Sequence, residues 1–125
     1  MKITGFNPFI ATARVDDTIR LFETLGFEKR HTKEGIEIAD REDTVIRMKD
    51  ANGFYLDILK SSDEVSHDLV GIRMNVDDFD EACALLQARG FKNLYGDQTV
   101  DTKTSKAAMM VSPSGFMISV IQHKK

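Results

Sequence analysis

Val15-Asp16-Asp17 returns 61 residues later as Val76-Asp77-Asp78, and Gly53-Phe54 returns 62 residues later as Gly115-Phe116. Between those landmarks each copy carries a Gly-Phe pair, Gly26-Phe27 and Gly90-Phe91, closing a stretch whose apolar residues recur at helical spacing. The chain therefore reads as two copies of one supersecondary unit. Duplicated half-sheets that pack into one body are expected to leave a ligand-sized hollow where they meet.

Working outward from the first copy, Pro8 to Val15 reads as a strand, with Asp16 and Asp17 offering side-chain oxygens to cap a helix. Ile19, Phe22 and Leu25 form the apolar stripe of that helix, and Gly26 stands where a left-handed C-terminal residue is wanted. Strands follow over Phe27 to Lys33, Thr44 to Lys49 and Phe54 to Leu59, with a turn signal at Glu34-Gly35 and an ambiguous stretch from Ile36 to Asp43. In the second copy, Leu69 to Val76 is a strand and Asp78-Phe79-Asp80-Glu81 reads as a capping box. Phe79, Ala82, Leu85 and Leu86 make the apolar stripe of its helix, which ends at Gly90, before strands over Phe91 to Tyr95, Lys103 to Val111 and Phe116 to Gln122. The first module spans about residues 3–60, a polar connector about 60–68 and the second module about 69–123, in one domain of 125 residues.

A composition that is 42% hydrophobic and 30% charged is that of a soluble globular protein and gives no spanning segment. A net charge of −3 lacks the basic footprint that nucleic-acid binding requires. The opening Met1-Lys2-Ile3-Thr4-Gly5 lacks a secretory h-region, so a cytoplasmic location is expected. Cys83 is a lone thiol beside an apolar helical stripe, which favours an inert, buried role over a nucleophilic one. His31, His67 and His123 read as exposed polar residues, and the acidic run from Asp77 to Glu81 as helix capping rather than a cation site.

The doubled strand-helix-strand-strand-strand order, with Val-Asp-Asp before each helix and Gly-Phe opening each last strand, resembles the vicinal oxygen chelate superfamily. Glyoxalase I, extradiol dioxygenases, and the fosfomycin and bleomycin resistance proteins belong to it. The resemblance implies an α+β fold of two tandem βαβββ modules, an open eight-stranded barrel-like sheet around a cavity, and a homodimer. It also implies a metal centre with one ligand from the first and one from the last strand of each module. Those positions fall at Ile10, Asp57, Gly71 and Ser119, of which only Asp57 is a strong donor. No divalent metal cofactor is therefore expected, and a shifted strand register is the circumstance that would restore one.

Period-two geometry extends the cavity lining to Ile10, Thr12 and Arg14, to Tyr55, Asp57 and Leu59, to Gly71, Arg73 and Asn75, and to Met117, Ser119 and Ile121. Arg14, Tyr55, Asp57, Arg73, Asn75, Met117 and Ser119 are the candidate ligand-binding residues. An arginine can clamp a carboxylate or phosphonate, and Asp57 can accept from an amine or hydroxyl. The plainer alternative has Arg14, Arg73 and Asp57 neutralising one another. The leading expectation is a metal-independent small-molecule binding protein that sequesters its ligand, as in the bleomycin-resistance branch. The competing one is a metal-dependent, glyoxalase-like lyase or isomerase with Asp57 as a ligand. Ring-cleaving dioxygenase chemistry is disfavoured because iron wants two histidines and a carboxylate.

Overall fold

The computed structural model describes residues 1–38, 41–61, 67–96 and 99–124. Residues 62–66 of the connector and residues 97–98 of the loop after Tyr95 lie outside the described residues, as does the side chain of His31. The chain divides into two compact units, one of Asn7–Val70 and one of Met1–Phe6 with Gly71–Lys125. The first strand, β1 (Ile3–Ala11), contributes to both.

The N-terminal unit continues with α1 (Val15–Thr24), β2 (Glu28–Ile38), β3 (Arg41–Lys49) and β4 (Tyr55–Ser61), hydrogen-bonded in the order β2-β3-β4-β1. The C-terminal unit adds β5 (Leu69–Val76), α2 (Phe79–Ala88), β6 (Lys92–Asn93), β7 (Val100–Asp101), β8 (Ser105–Val111) and β9 (Met117–His123). Its order is β1-β5-β9-β8-β6, with β7 also on β8. Among the described residues the result is α+β, with two βαβββ arrangements and a mixed sheet of nine strands whose path does not close on itself. The strand beyond the expected eight is the two-residue β7. β1 with β4 and β5 with β9 are parallel pairs.

Each unit builds its core by setting an amphipathic helix on one sheet face. In α1, Val15 and Ile19 are buried and Phe22 partly so, against Ile46 and Met48 of β3, Leu56 and Ile58 of β4, and Ile10. In α2, Phe79 and Ala82 pack with Met74, Val76, Ala108, Met110 and Val120. The capping box at α2 forms on one side: Asp78 accepts from the Glu81 N–H at 3.0 Å. The Phe79 N–H is taken by the Gln122 side chain at 2.7 Å, and the Glu81 carboxylate pairs with the amino terminus at 3.3 Å. α1 begins differently. Val15 already lies inside the helix, Arg14 is its N-cap without a side-chain cap bond, and Asp16 and Asp17 sit in the first turn, where they answer the helix dipole.

Both helices end as their Gly-Phe pairs dictate. Gly26 donates to Glu23 O at 3.0 Å and Phe27 to Phe22 O at 2.9 Å; Gly90 donates to Gln87 O at 3.0 Å and Phe91 to Leu86 O at 3.1 Å. This is the Schellman pattern, with the accompanying apolar contact supplied in α1 by Phe22 and Phe27, ring centroids 5.6 Å apart. The two glycines differ in what surrounds them. Both have positive φ, +104° and +91°, but an added Cβ would meet nothing within 4 Å at Gly26 and would lie 2.8 Å from Pro113 Cγ at Gly90. Gly26→Ala is expected to destabilise by about 1–2 kcal/mol through its backbone alone, and Gly90→Ala by about 1 kcal/mol more through overpacking. Urea unfolding of the two variants checks this, and equal losses would show that the Pro113 ring yields freely.

The turn expected at Glu34-Gly35 does not form. β2 runs through it and absorbs one extra residue between the pairs Lys33↔Val45 and Ile36↔Asp43.

Candidate functional site

On the face of the N-terminal sheet opposite α1, strand pairing aligns β3, β4 and β1 around one carboxylate. Asp57 lies opposite Arg47 across the β3–β4 hairpin and beside Phe9 of β1. It is only 1% exposed. A carboxylate so deeply buried must be compensated by hydrogen bonds and opposite charge. The Asn7 amide donates to Asp57 Oδ2 at 2.7 Å and to Pro8 O at 2.9 Å, while its oxygen accepts from Arg47 Nη2 at 3.4 Å. Arg47 Nη1 stands 3.7 Å from Asp57 Oδ2, and the guanidinium carbon lies 4.0 Å from the centre of the Tyr55 ring. Lys49 Nζ is 5.2 Å from the same ring. The guanidinium is thus held by charge, amide and ring together, yet 21% of the Arg47 side chain still reaches solvent.

Tyr55 and Asp57 fall on the face expected of them, but β1 is in a different phase. Ile10 pairs with Ile58 and packs in the α1 core rather than beside Asp57. Thr12 is buried, and its hydroxyl accepts from the Arg14 N–H at 3.0 Å. Arg14 is beyond the strand, 80% exposed, and bound to Asp17 at 3.1 Å. It does not join Asp57. The cause is the helix start: α1 opens at Val15 whereas α2 opens at Phe79, three residues after Val76. The helices are therefore related by a shift of 64, the same shift that separates Gly26 from Gly90, and Asn7 rather than Ile10 matches Gly71. Asn7 and Arg47 are the site residues that the sequence reading misses. The Gly-Phe spacing carries the signal for the first, and the hairpin register around Asp50 to Gly53 the signal for the second.

In the C-terminal unit, Arg73, Asn75, Met117 and Ser119 share one face of the β5–β9 ladder, with Gly71 opposite Met117 and Arg73 opposite Ser119. Arg73 Nε donates to Asn75 Oδ1 at 3.2 Å. Met117 is buried. Cys83 packs partly buried against the α2 core; burial pushes its thiol up, and the nearby Asp80 adds to this while Lys106 partly opposes it. At neutral pH it is a protonated thiol, a poor nucleophile. The acidic run from Asp77 to Glu81 is occupied by caps and ion pairs, including Asp77 with the Lys2 N–H and Asp80 with Lys106. Among the described residues no three His, Cys, Asp or Glu side chains gather as a metal cage.

No family model and no curated protein sequence matches the chain. Solved structures do. A methylmalonyl-CoA epimerase from Mycobacterium tuberculosis superposes with TM-score 0.71 at 18% identity, covering 98% of this chain and 90% of that one. A substituted form of the Streptomyces coelicolor methylmalonyl-CoA epimerase, in complex with 2-nitronate-propionyl-CoA, gives TM-score 0.65 at 20% identity, covering 99% and 100%. A methylmalonyl-CoA epimerase in complex with methylmalonyl-CoA and NH4+ gives 0.62 at 20%, covering 97% and 95%. The chain has the vicinal oxygen chelate fold. At such identities the likeness concerns the fold alone.

The expectation that a vicinal oxygen chelate cavity here does without a divalent ion is corrected by these neighbours, because methylmalonyl-CoA epimerases are metal-dependent members of the superfamily. The physical error lies in counting donors at Ile10. In the observed register the matching residue is Asn7, whose amide already touches Asp57. A carboxylate and an amide oxygen are hard donors that fit a Mg-type ion retaining several waters, once the Asn7 amide turns its oxygen toward the carboxylate. Asp57 and Asn7 are the residues that would hold such an ion, and it would supply Lewis-acid polarisation of a ligand oxygen.

Proposed function

We propose that this chain binds a small, oxygen-rich anionic molecule on the Asp57 face of its N-terminal unit, with Arg47 as the recognising cation. The observation that supports this reading is the fixed guanidinium: Tyr55, Asp57 and Asn7 orient it, and part of the Arg47 side chain remains open to solvent. Pre-ordering of this kind lowers the entropy lost when a carboxylate or phosphonate docks bidentately. Tyr55 offers apolar surface beside the charge. In the C-terminal unit, taken by itself, Arg73, Asn75, Met117 and Ser119 remain the candidate ligand-binding residues, on one face of the β5–β9 ladder. A sequestering role of the bleomycin-resistance kind asks for no more than such binding.

A second reading, an isomerase or lyase working through a hard cation at Asp57 and Asn7, is favoured by the contact between those two donors. Each neighbour named above is itself an epimerase. One set of titrations tests both. Thermal-shift screening of small carboxylates, phosphonates and acyl thioesters, with and without Mg, Mn, Co, Ni or Zn, is expected to give hits that weaken about tenfold in Arg47→Met, which keeps the stem and removes the charge. Hits indifferent to Arg47→Met would overturn the binding site. Calorimetric metal binding lost in Asn7→Ala, together with proton exchange at the α-carbon of a bound acyl ligand, would favour the enzyme.

A further inference from the structure

We infer that the N-terminal unit carries a second ligand site, for a phosphate-bearing small molecule, on the face of its sheet opposite Asp57. There a cleft of about 610 Å³ opens between the start of α1 and strands β2 to β4. That volume lies in the range of small-molecule sites. Four cations line it: Arg14 and Arg20 from the helix side, Lys29 from β2 and Lys60 from β4. Strand register explains why the lysines point that way. Lys29 pairs with Met48, and Lys60 stands two residues after Ile58 on the same face; Met48 and Ile58 are both in the α1 core.

Two carboxylates, Asp16 and Asp17, also line the cleft, so its walls carry four positive against two negative charges in a chain whose net charge is −3. Asp17 is shared between both guanidiniums, with Arg14 Nη2 at 3.1 Å and Arg20 Nη1 at 3.5 Å. It organises the arginines without neutralising the pair. Among the described residues neither Lys29 nor Lys60 has an ion-pair partner. Like charges gathered around one concavity repel each other, and a multiply charged anion relieves that repulsion. A phosphate ester or diphosphate matches the excess of two positive charges, taking the arginine forks bidentately and the lysines as point charges. The floor is apolar, formed by Val15, Ile19 and Ile46, and gives an attached organic group a surface to cover.

None of these side chains belongs to the Arg47–Asp57 cluster, so the two sites stand or fall separately. The test uses inorganic pyrophosphate as probe, titrated calorimetrically into the full chain at low ionic strength, where screening is weakest. The wild type is expected to bind it, and Lys29→Ala/Lys60→Ala to weaken binding by about tenfold or more, since each lysine supplies a charge-assisted contact. Lys92→Ala, an exposed lysine on β6, is expected to stay within about twofold of the wild type. Circular dichroism confirms folding of each variant, all being surface or partly exposed changes. Absence of pyrophosphate binding in the wild type would overturn the site. So would an unchanged affinity in the double variant, or an equal loss in Lys92→Ala, which would reduce the effect to diffuse charge.

Discussion

Replacing Asp57 by alanine is expected to destabilise the chain by about 2–4 kcal/mol, read as a lower urea midpoint at unchanged slope. Asp57 is the anion against which two other polar groups are set. Without it Arg47 loses its counter-charge, and the buried Asn7 amide, which donates to Oδ2 at 2.7 Å, loses an acceptor. Breaking a fully buried pair costs about 3–5 kcal/mol, and the figure is reduced here because the Arg47 head can turn toward water. Asp57→Asn keeps an acceptor for Asn7 and should lose less than half as much. Arg47→Met added to Asp57→Ala should restore part of the loss, since the stranded charge then disappears. The opposite sign would be equally informative. Carboxylates held in an unfavourable setting for the sake of a ligand tend to raise stability when removed. A gain on Asp57→Ala would therefore overturn the view that Arg47 and Asn7 compensate it, and would make the carboxylate a strained functional group.

How far the sequence reveals this arrangement depends on which strand is read. In β4 the alternation of Leu56 and Ile58 with Tyr55, Asp57 and Leu59 assigns the faces, because Asp57, charged in the middle of an apolar strand, marks the one that cannot pack under α1, and Lys60 falls on the α1 face only at the strand's exposed end. The helix ends are equally legible, since Gly26 and Gly90 each satisfy the last carbonyls through a left-handed residue that other side chains resist. In β1 both parities are largely apolar: Ile3, Phe9 and Ala11 on one, Phe6, Pro8 and Ile10 on the other. Nothing local sets its phase, and of two distant guides Val15-Asp16-Asp17 misleads, because this sequence echo sits inside a helix in the first copy and before it in the second, whereas the 64-residue spacing of Gly26 and Gly90 points to Asn7. The Glu34-Gly35 pair misleads for another reason. Turn chemistry is a local preference, and eight pairings between β2 and β3, with two bulges, outweigh it. Arg47 is hidden because its partner is ten residues away across the hairpin, and charge on a strand reads as solvent-facing until the register is known.

The phase of β1 can be measured in solution through its neighbour on β4. Ile58 is fully buried, pairs with Ile46 on one side and Ile10 on the other, and lies beneath Val15 and Ile19 of α1. Ile58→Ala is expected to destabilise by about 3–4 kcal/mol, the transfer free energy of the lost methylenes plus the cavity they leave in a core two strands and a helix wide. Leu59→Ala, one residue on and only partly buried on the other face, should cost about 1–2 kcal/mol. Ile10→Ala should cost an intermediate amount, and its combination with Ile58→Ala decides the register. Because the two side chains border the same space, the cavity opened by the first truncation is shared with the second, and the double variant should depart from additivity by at least about 0.5 kcal/mol. If Ile10 instead faced Asp57, the sheet would separate the two truncations and the losses would sum. An additive cycle would therefore return Ile10 to the carboxylate's face and remove Asn7 from contact with Asp57, and the donor pair on which a hard cation depends would go with it.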